Sequence, residues 1–175
     1  MTSAFPKMSH SSRHNAPAFF IERSGWKLYS HLAFSQGLEA LTRTVEAIEK
    51  RQPVTFRDHP KAKLLRRILD LVLVEIPRNP NVSEFQLGST LGPAYRHWRR
   101  AKFLGRFGLF FRFSSAHRII VYAWVNDETT LRKAGAPSDP YAIFNRRLQA
   151  GRPPDDWDRL LGEAEAVESE GRRRT

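Results

Sequence analysis

Apolar and polar positions change period along this chain, and those changes mark its elements. Phe34, Leu38, Leu41, Val45 and Ile48 are spaced by four, three, four and three residues, a single stripe on an α-helix. A second helical run carries Leu64, Leu65, Ile68, Leu69, Leu71, Val72, Leu73 and Ile76, a stripe wide enough to be buried on more than one side. Asp58 as N-cap and Pro60 in the first turn predict its start, and Pro77 predicts its end. Ahead of both helices, Trp26 and Leu28 alternate with Lys27 and Tyr29, which predicts a short strand over Gly25 to Tyr29.

Between Trp98 and Asn126 the period becomes two. Three runs rich in aromatic and β-branched residues, separated by short breaks, predict a three-stranded antiparallel meander. In the middle run Phe107, Leu109, Phe111 and Phe113 fall on one face, and Arg106, Gly108, Phe110, Arg112 and Ser114 on the other. The segment Arg78 to Ala94, with Asn79-Pro80, Gly88 and Gly92-Pro93, predicts a long ordered loop that delivers the chain to this sheet. Beyond the sheet, Asn126, Asp127 and Glu128 predict a polar turn. Ser138 or Asp139 then caps a helix with Pro140 in its first turn, Tyr141, Phe144 and Leu148 on one face, and Gly151 at its end. Asp155 or Asp156 caps a last helix through Trp157, Leu160 and Leu161.

Residues 1–18 have no periodicity and are expected to be disordered, and residues 162–175 have little to pack and are expected to form a flexible charged tail. The domain between them, residues 19–161, is expected to be a single α+β unit. Its small, mostly antiparallel sheet has the two N-terminal helices on one face and a C-terminal helix or two, with the other face left open.

Charge gives that open face a meaning. Formal net charge is +11 over 175 residues. Between Tyr95 and Arg118 the cations Arg96, Arg99, Arg100, Lys102, Arg106, Arg112 and Arg118 are accompanied by no Asp or Glu. A surface of this kind attracts polyanions, nucleic acid first among them. A membrane is a weaker fit, because no run approaches the roughly 20 apolar residues needed to span a bilayer. The N-terminus also lacks a basic-then-apolar signal pattern, so the cytoplasm is the expected location. The absence of cysteine excludes disulfides, thiolate metal sites and a cysteine nucleophile. No metal-ligand cluster or cofactor motif is visible. Three classes remain open on these grounds: a nuclease, a non-catalytic RNA-binding protein, and a protein-interaction module for an acidic partner.

The motifs GWKLY (Gly25 to Tyr29), WRRAKF (Trp98 to Phe103), LFFRF (Leu109 to Phe113), VYAWVNDETTLR (Val121 to Arg132), DPYAIF (Asp139 to Phe144) and GRPPDDW (Gly151 to Trp157) occur in this order. Together they resemble the YhaV toxins, members of the RelE-like superfamily of bacterial toxin–antitoxin systems. The resemblance implies a RelE-like fold and a ribosome-associated endoribonuclease that cuts mRNA without a metal, the ribose 2′-hydroxyl attacking the adjacent phosphate. It implies a PrlF-like antitoxin with an AbrB-type DNA-binding domain, and contact with operator DNA only through the toxin–antitoxin complex. An RNA-binding and antitoxin-binding protein without catalysis is the alternative.

The resemblance also suggests roles. Arg100 and Lys102, on the strand entering the meander, point to one side and are the leading catalytic candidates. Arg106 and Arg112 share the second face of the middle strand, and Arg132 lies past the last strand where the superfamily also places an arginine. Tyr141 corresponds to an aromatic hydroxyl near the end of many RelE-like chains, with a stacking or proton-transfer role against plain packing at helical spacing. Arg96, Arg99 and Arg118 are candidates for RNA binding. His97 and His117 flank the meander and read as surface or turn residues, with a residual acid–base role for His97. The four tryptophans read as core. One departure stands out: related chains carry an arginine where this one has Gly108, which implies a toxin of reduced or lost activity that still binds RNA and antitoxin.

Overall fold

The computed structural model describes residues 21–127 and 139–174. Glu128, Arg132 and Ser138, together with the N-terminal segment expected to be disordered, lie outside them.

The predicted first strand is β2 (Trp26–Ser30), and it forms a hairpin with β1 (Ile21–Arg23), which the alternation alone did not separate from it. Helix α1 (Leu32–Arg51) buries Phe34, Leu38, Val45 and Ile48 as the stripe requires. A 3₁₀ turn over Phe56–Asp58 takes up Asp58, and the cap of α2 (Pro60–Asp70) is His59 instead, whose side chain accepts from Lys61 N–H at 3.1 Å. Pro77 does not end this helix. The chain widens into a π turn over Leu71–Glu75, with Ile76 N–H reaching back to Leu71 O, and Pro77 sits inside the final turn, α3 (Ile76–Arg78). A π turn is a way of accommodating a residue that lacks an N–H and crowds the preceding turn. Pro77 has no N–H to offer Val72 O, and the buried Tyr122 hydroxyl donates to that carbonyl at 2.7 Å.

The meander is present as β3 (Arg99–Phe103), β4 (Phe107–Ser114) and β5 (Ile119–Val125). Strand order is β1-β2-β5-β4-β3, with β2 parallel to β5 and every other pair antiparallel. Phe110 pairs with Trp124 and Phe111 with Tyr122, so Ala123 is an extra residue in β5. This bulge turns Trp124 to the same side as Val121 and Ala123, against the simple alternation.

Two cores result. Leu109, Phe111, Ile120 and Tyr122 face α1 and α2. On the opposite face Phe110, Val121, Ala123 and Trp124 meet α4 (Pro140–Gln149) and α5 (Trp157–Arg173) through Tyr141, Phe144, Leu148 and Leu160. The second face is therefore covered, not open. Phe110 and Phe144 stack at 4.3 Å between ring centroids, so the apolar member of the supposedly basic face is the centre of a second core. The stretch after Leu161 is helical to Arg173 instead of frayed: Ala164 and Glu168 are buried, and Glu163 meets His31 at 2.7 Å. Its few apolar side chains conceal this, because small and hydrogen-bonded polar groups form the contact.

Caps fix the helices near the site. Asp139 accepts from Tyr141 N–H at 3.0 Å and Asp156 from Arg159 N–H at 2.9 Å. Among the described residues no helix is long and apolar enough to cross a membrane.

Candidate active site

The β3–β4 hairpin and the first turn of α4 enclose a small pocket of about 60 Å³, lined by Arg100, Lys102, Arg106, Gly108, Tyr141 and neighbouring residues. Strand geometry places the cations. Arg100 and Lys102 are two apart on β3 and project to one side, Lys102 lying opposite Gly108 and Arg100 opposite Phe110. Arg106 comes from the turn between the strands. Asp139 and Pro140 start α4 so that Tyr141 reaches the same place.

Arg100 is the centre of the arrangement. Only 8% of it is exposed, its Nη1 donates to the Tyr141 hydroxyl, and its guanidinium lies 5.3 Å from the centre of the Tyr141 ring. Gly108 lies beneath this pose. A Cβ at that position would stand 3.4 Å from both Cγ and Cδ of Arg100, so the arginine stem runs over the glycine on its way to the tyrosine. Among the described residues, no Asp or Glu lines the pocket. Three cations and a fixed hydroxyl around an acid-free pocket suit an oxyanion, and a guanidinium locked before the anion arrives needs little reorganisation to bind it.

Asn126 holds the floor, a role that the polar-turn reading did not assign to it. Its Oδ1 accepts from Gly108 N–H at 2.7 Å and its Nδ2 donates to Arg106 O at 3.1 Å, so one buried side chain ties the C-terminal end of the turn to the start of β4. A polar residue closing an otherwise apolar strand was the available signal. Asn126→Ala leaves the buried Gly108 N–H without that partner. It is expected to lower unfolding free energy by about 2 kcal/mol in urea titration, because an unsatisfied buried amide carries its full desolvation cost.

The other candidates lie elsewhere. Arg112 is outside the pocket: its Nη1 donates to the Asp155 carbonyl, and its guanidinium lies 5.6 Å from the Trp98 ring and 5.3 Å from that of Trp157. Burial pushes its pKa down, while Asp155 and Asp156 act in the opposite direction. It fastens β4 to the start of α5. Asp155 Oδ1 also accepts from Trp98 Nε1 at 2.8 Å and lies 2.6 Å from His97 Nε2, so His97 belongs to the same fastening. Arg99 alternates to the opposite sheet face, where its guanidinium lies 5.5 Å from the Phe113 ring and burial lowers its pKa. Arg118 sits at the β4–β5 turn, 4.4 Å from the Trp26 ring, and Arg96 is exposed before β3. Arg132 is outside the described residues.

The fold and pocket define a small α+β protein with a cationic pocket on a β-hairpin. The family model described as a toxin with endonuclease activity, of a toxin–antitoxin system, matches residues 28–165. The chain is 38% identical over 144 residues to "Toxin YhaV" of Escherichia coli O6:H1 strain CFT073, and 37% identical over 144 residues to "Ribonuclease toxin YhaV" of Escherichia coli strain K12. Each alignment covers 81% of this chain and 94% of the relative. No solved structure gave a significant match. The chain thus belongs to the YhaV toxin family: it is the endonuclease toxin of a toxin–antitoxin system.

Proposed function

We propose that this toxin is a RelE-like endoribonuclease of the cytoplasm that cleaves mRNA at the ribosome without a metal, using the pocket on the β3–β4 hairpin. The observation that carries the reading is the convergence of Arg100, Lys102, Arg106 and Tyr141 on one pocket with no acid among its described lining residues. In the proposed step the ribose 2′-oxygen forms a bond to the adjacent phosphorus as the bond to the 5′-oxygen breaks. The 2′-hydroxyl gives up its proton, the departing 5′-oxygen gains one, and a cyclic phosphate remains on the upstream fragment. Arg100 and Lys102 stabilise the charge that gathers on the phosphorane, Arg106 guides the neighbouring backbone, and Tyr141, oriented by Arg100, takes part in proton transfer.

The partner is read as a PrlF-like, AbrB-type antitoxin that covers the cationic hairpin, with operator DNA bound only through that complex. The reading of Gly108 as a lost cation, and of the toxin as attenuated, has a counterweight in the stem of Arg100, which passes over the glycine within contact distance of where a Cβ would stand. We therefore read the site as competent.

RNA binding supplies the test. Arg100→Ala combined with Lys102→Ala is expected to weaken binding of single-stranded RNA and to flatten the dependence of log affinity on log salt by roughly 0.7 per lost phosphate contact. An unchanged slope would place the RNA elsewhere. Binding with full salt dependence by the unaltered chain, but no cleavage in a translating extract, would favour the non-catalytic alternative.

A further inference from the structure

The β3–β4 turn carries a leucine where turn chemistry disfavours one. Leu104 opens the three-residue turn between the paired Phe103 and Phe107, and it is held at φ 46°, followed by Gly105 at φ 78°. In the left-handed region Cβ crowds the following carbonyl, so glycine and asparagine populate it readily and a bulky apolar residue is an outlier. Burial does not offset this, because Leu104 is 55% exposed. Local conformation and solvation would both improve with asparagine in its place.

The position of the outlier gives it a use. The next two residues of the turn, Gly105 and Arg106, line the cationic pocket together with Arg100 and Lys102, so Leu104 is the chain neighbour of that lining. Asn126 ties down the C-terminal end of the turn through Arg106 O and Gly108 N–H, which restrains the loop that carries the leucine. Exposure alone does not set Leu104 apart, since Leu32, Val54 and Val74 are exposed too; a strained backbone next to a binding pocket is the pattern of a contact group.

Its neighbours select the partner. Lys102 and Arg106 are both exposed on the same hairpin end, and no acidic residue occurs from Arg99 to Ser114. A ligand here presents anionic groups to two cations and an apolar face to a leucine within the width of one turn. Each nucleotide of a single strand has both features, a phosphate and the face of its base, and apolar side chains hold bases out of a stack by packing on that face.

We propose that Leu104 packs against the base next to the scissile phosphate, holding that nucleotide unstacked while its phosphate lies on Arg100 and Lys102. This deepens the functional reading above and rests on it. Leu104 is a specificity and positioning residue whose apolar contact has been kept at the expense of turn stability.

The test is that stability and binding move in opposite directions. With the full chain, Leu104→Asn is expected to raise the melting temperature by about 2–4 °C and to weaken binding of a short single-stranded RNA about tenfold. Its affinity for an abasic ribose-phosphate strand of the same length is expected to equal that of the parent. Leu104→Met, which keeps the apolar reach, is expected to retain most of the RNA affinity. The proposal is overturned if Leu104→Asn binds RNA as the parent does, or if RNA and abasic strand weaken equally, since the leucine would then act through turn geometry alone. Loss of antitoxin affinity with RNA binding intact would assign Leu104 to a protein partner and overturn it as well. A parent chain that binds neither strand overturns the functional reading itself, a result distinct from the failure of Leu104.

Discussion

Arg100→Ala is expected to reduce the first-order rate of RNA cleavage by about 10²–10³, the usual effect of removing one preorganised donor to a developing oxyanion. The large effect follows from burial. A guanidinium that is 8% exposed, donating to Tyr141 and resting on its ring, is held in place before the substrate arrives. Arg100→Lys keeps the charge but has neither the planar fork nor the reach to bond Tyr141 in the same pose, and it is expected to recover only a small part of the rate. Tyr141→Phe separates the roles of the pair. If the hydroxyl transfers a proton, the phenylalanine variant loses rate and its pH profile changes shape. If the tyrosine only positions Arg100, the rate falls while the profile keeps its form. Single-turnover cleavage measured across pH gives both results, and a parent-like rate for Arg100→Ala would remove this pocket from the mechanism.

Gly108→Arg is the second large effect, and two readings of one residue predict opposite signs. Viewed along the strand, Gly108 is a missing cation on a basic face, and restoring arginine should raise activity. In the folded protein, a Cβ there meets Cγ and Cδ of Arg100 at 3.4 Å, already van der Waals contact, and we expect the longer arginine side chain beyond it to compete with the Arg100 stem for the same space. Displacing Arg100 from Tyr141 outweighs a new charge beside Lys102, so we expect cleavage to fall at least tenfold, with Arg100 losing its orientation. Gly108→Ala is the milder comparison: its methyl group makes ordinary contact with the stem and is expected to leave most of the activity. Growth arrest on expression and cleavage of purified RNA measure both variants. A rise in both for Gly108→Arg would show that the site lacks a donor that Arg100 does not provide, and would reinstate attenuation.

By itself, the sequence determined most of the local elements and the cationic character of the hairpin that carries the pocket. The α1 stripe, the three strands from Arg99 to Val125, and the caps narrowed to Ser138 or Asp139 and to Asp155 or Asp156 follow from short-range rules of periodicity and hydrogen bonding, which need only neighbouring residues. Arg100 and Lys102 were legible as a pair for the same reason, since a spacing of two on a strand puts both on one side. The tertiary structure decided what those sides face. Alternation cannot say whether a strand's second face meets water or another layer, and here α4 and α5 cover it, converting Phe110 from a member of a basic surface into the centre of a core. That covering moved Arg112 into a fastening with Trp98, Trp157 and Asp155, and the opposite sheet face took Arg99. It also gave Gly108 its meaning. Whether a glycine is a missing side chain or room for another residue's side chain depends on what crosses above it, and that neighbour comes from an adjacent strand whose register only pairing can set.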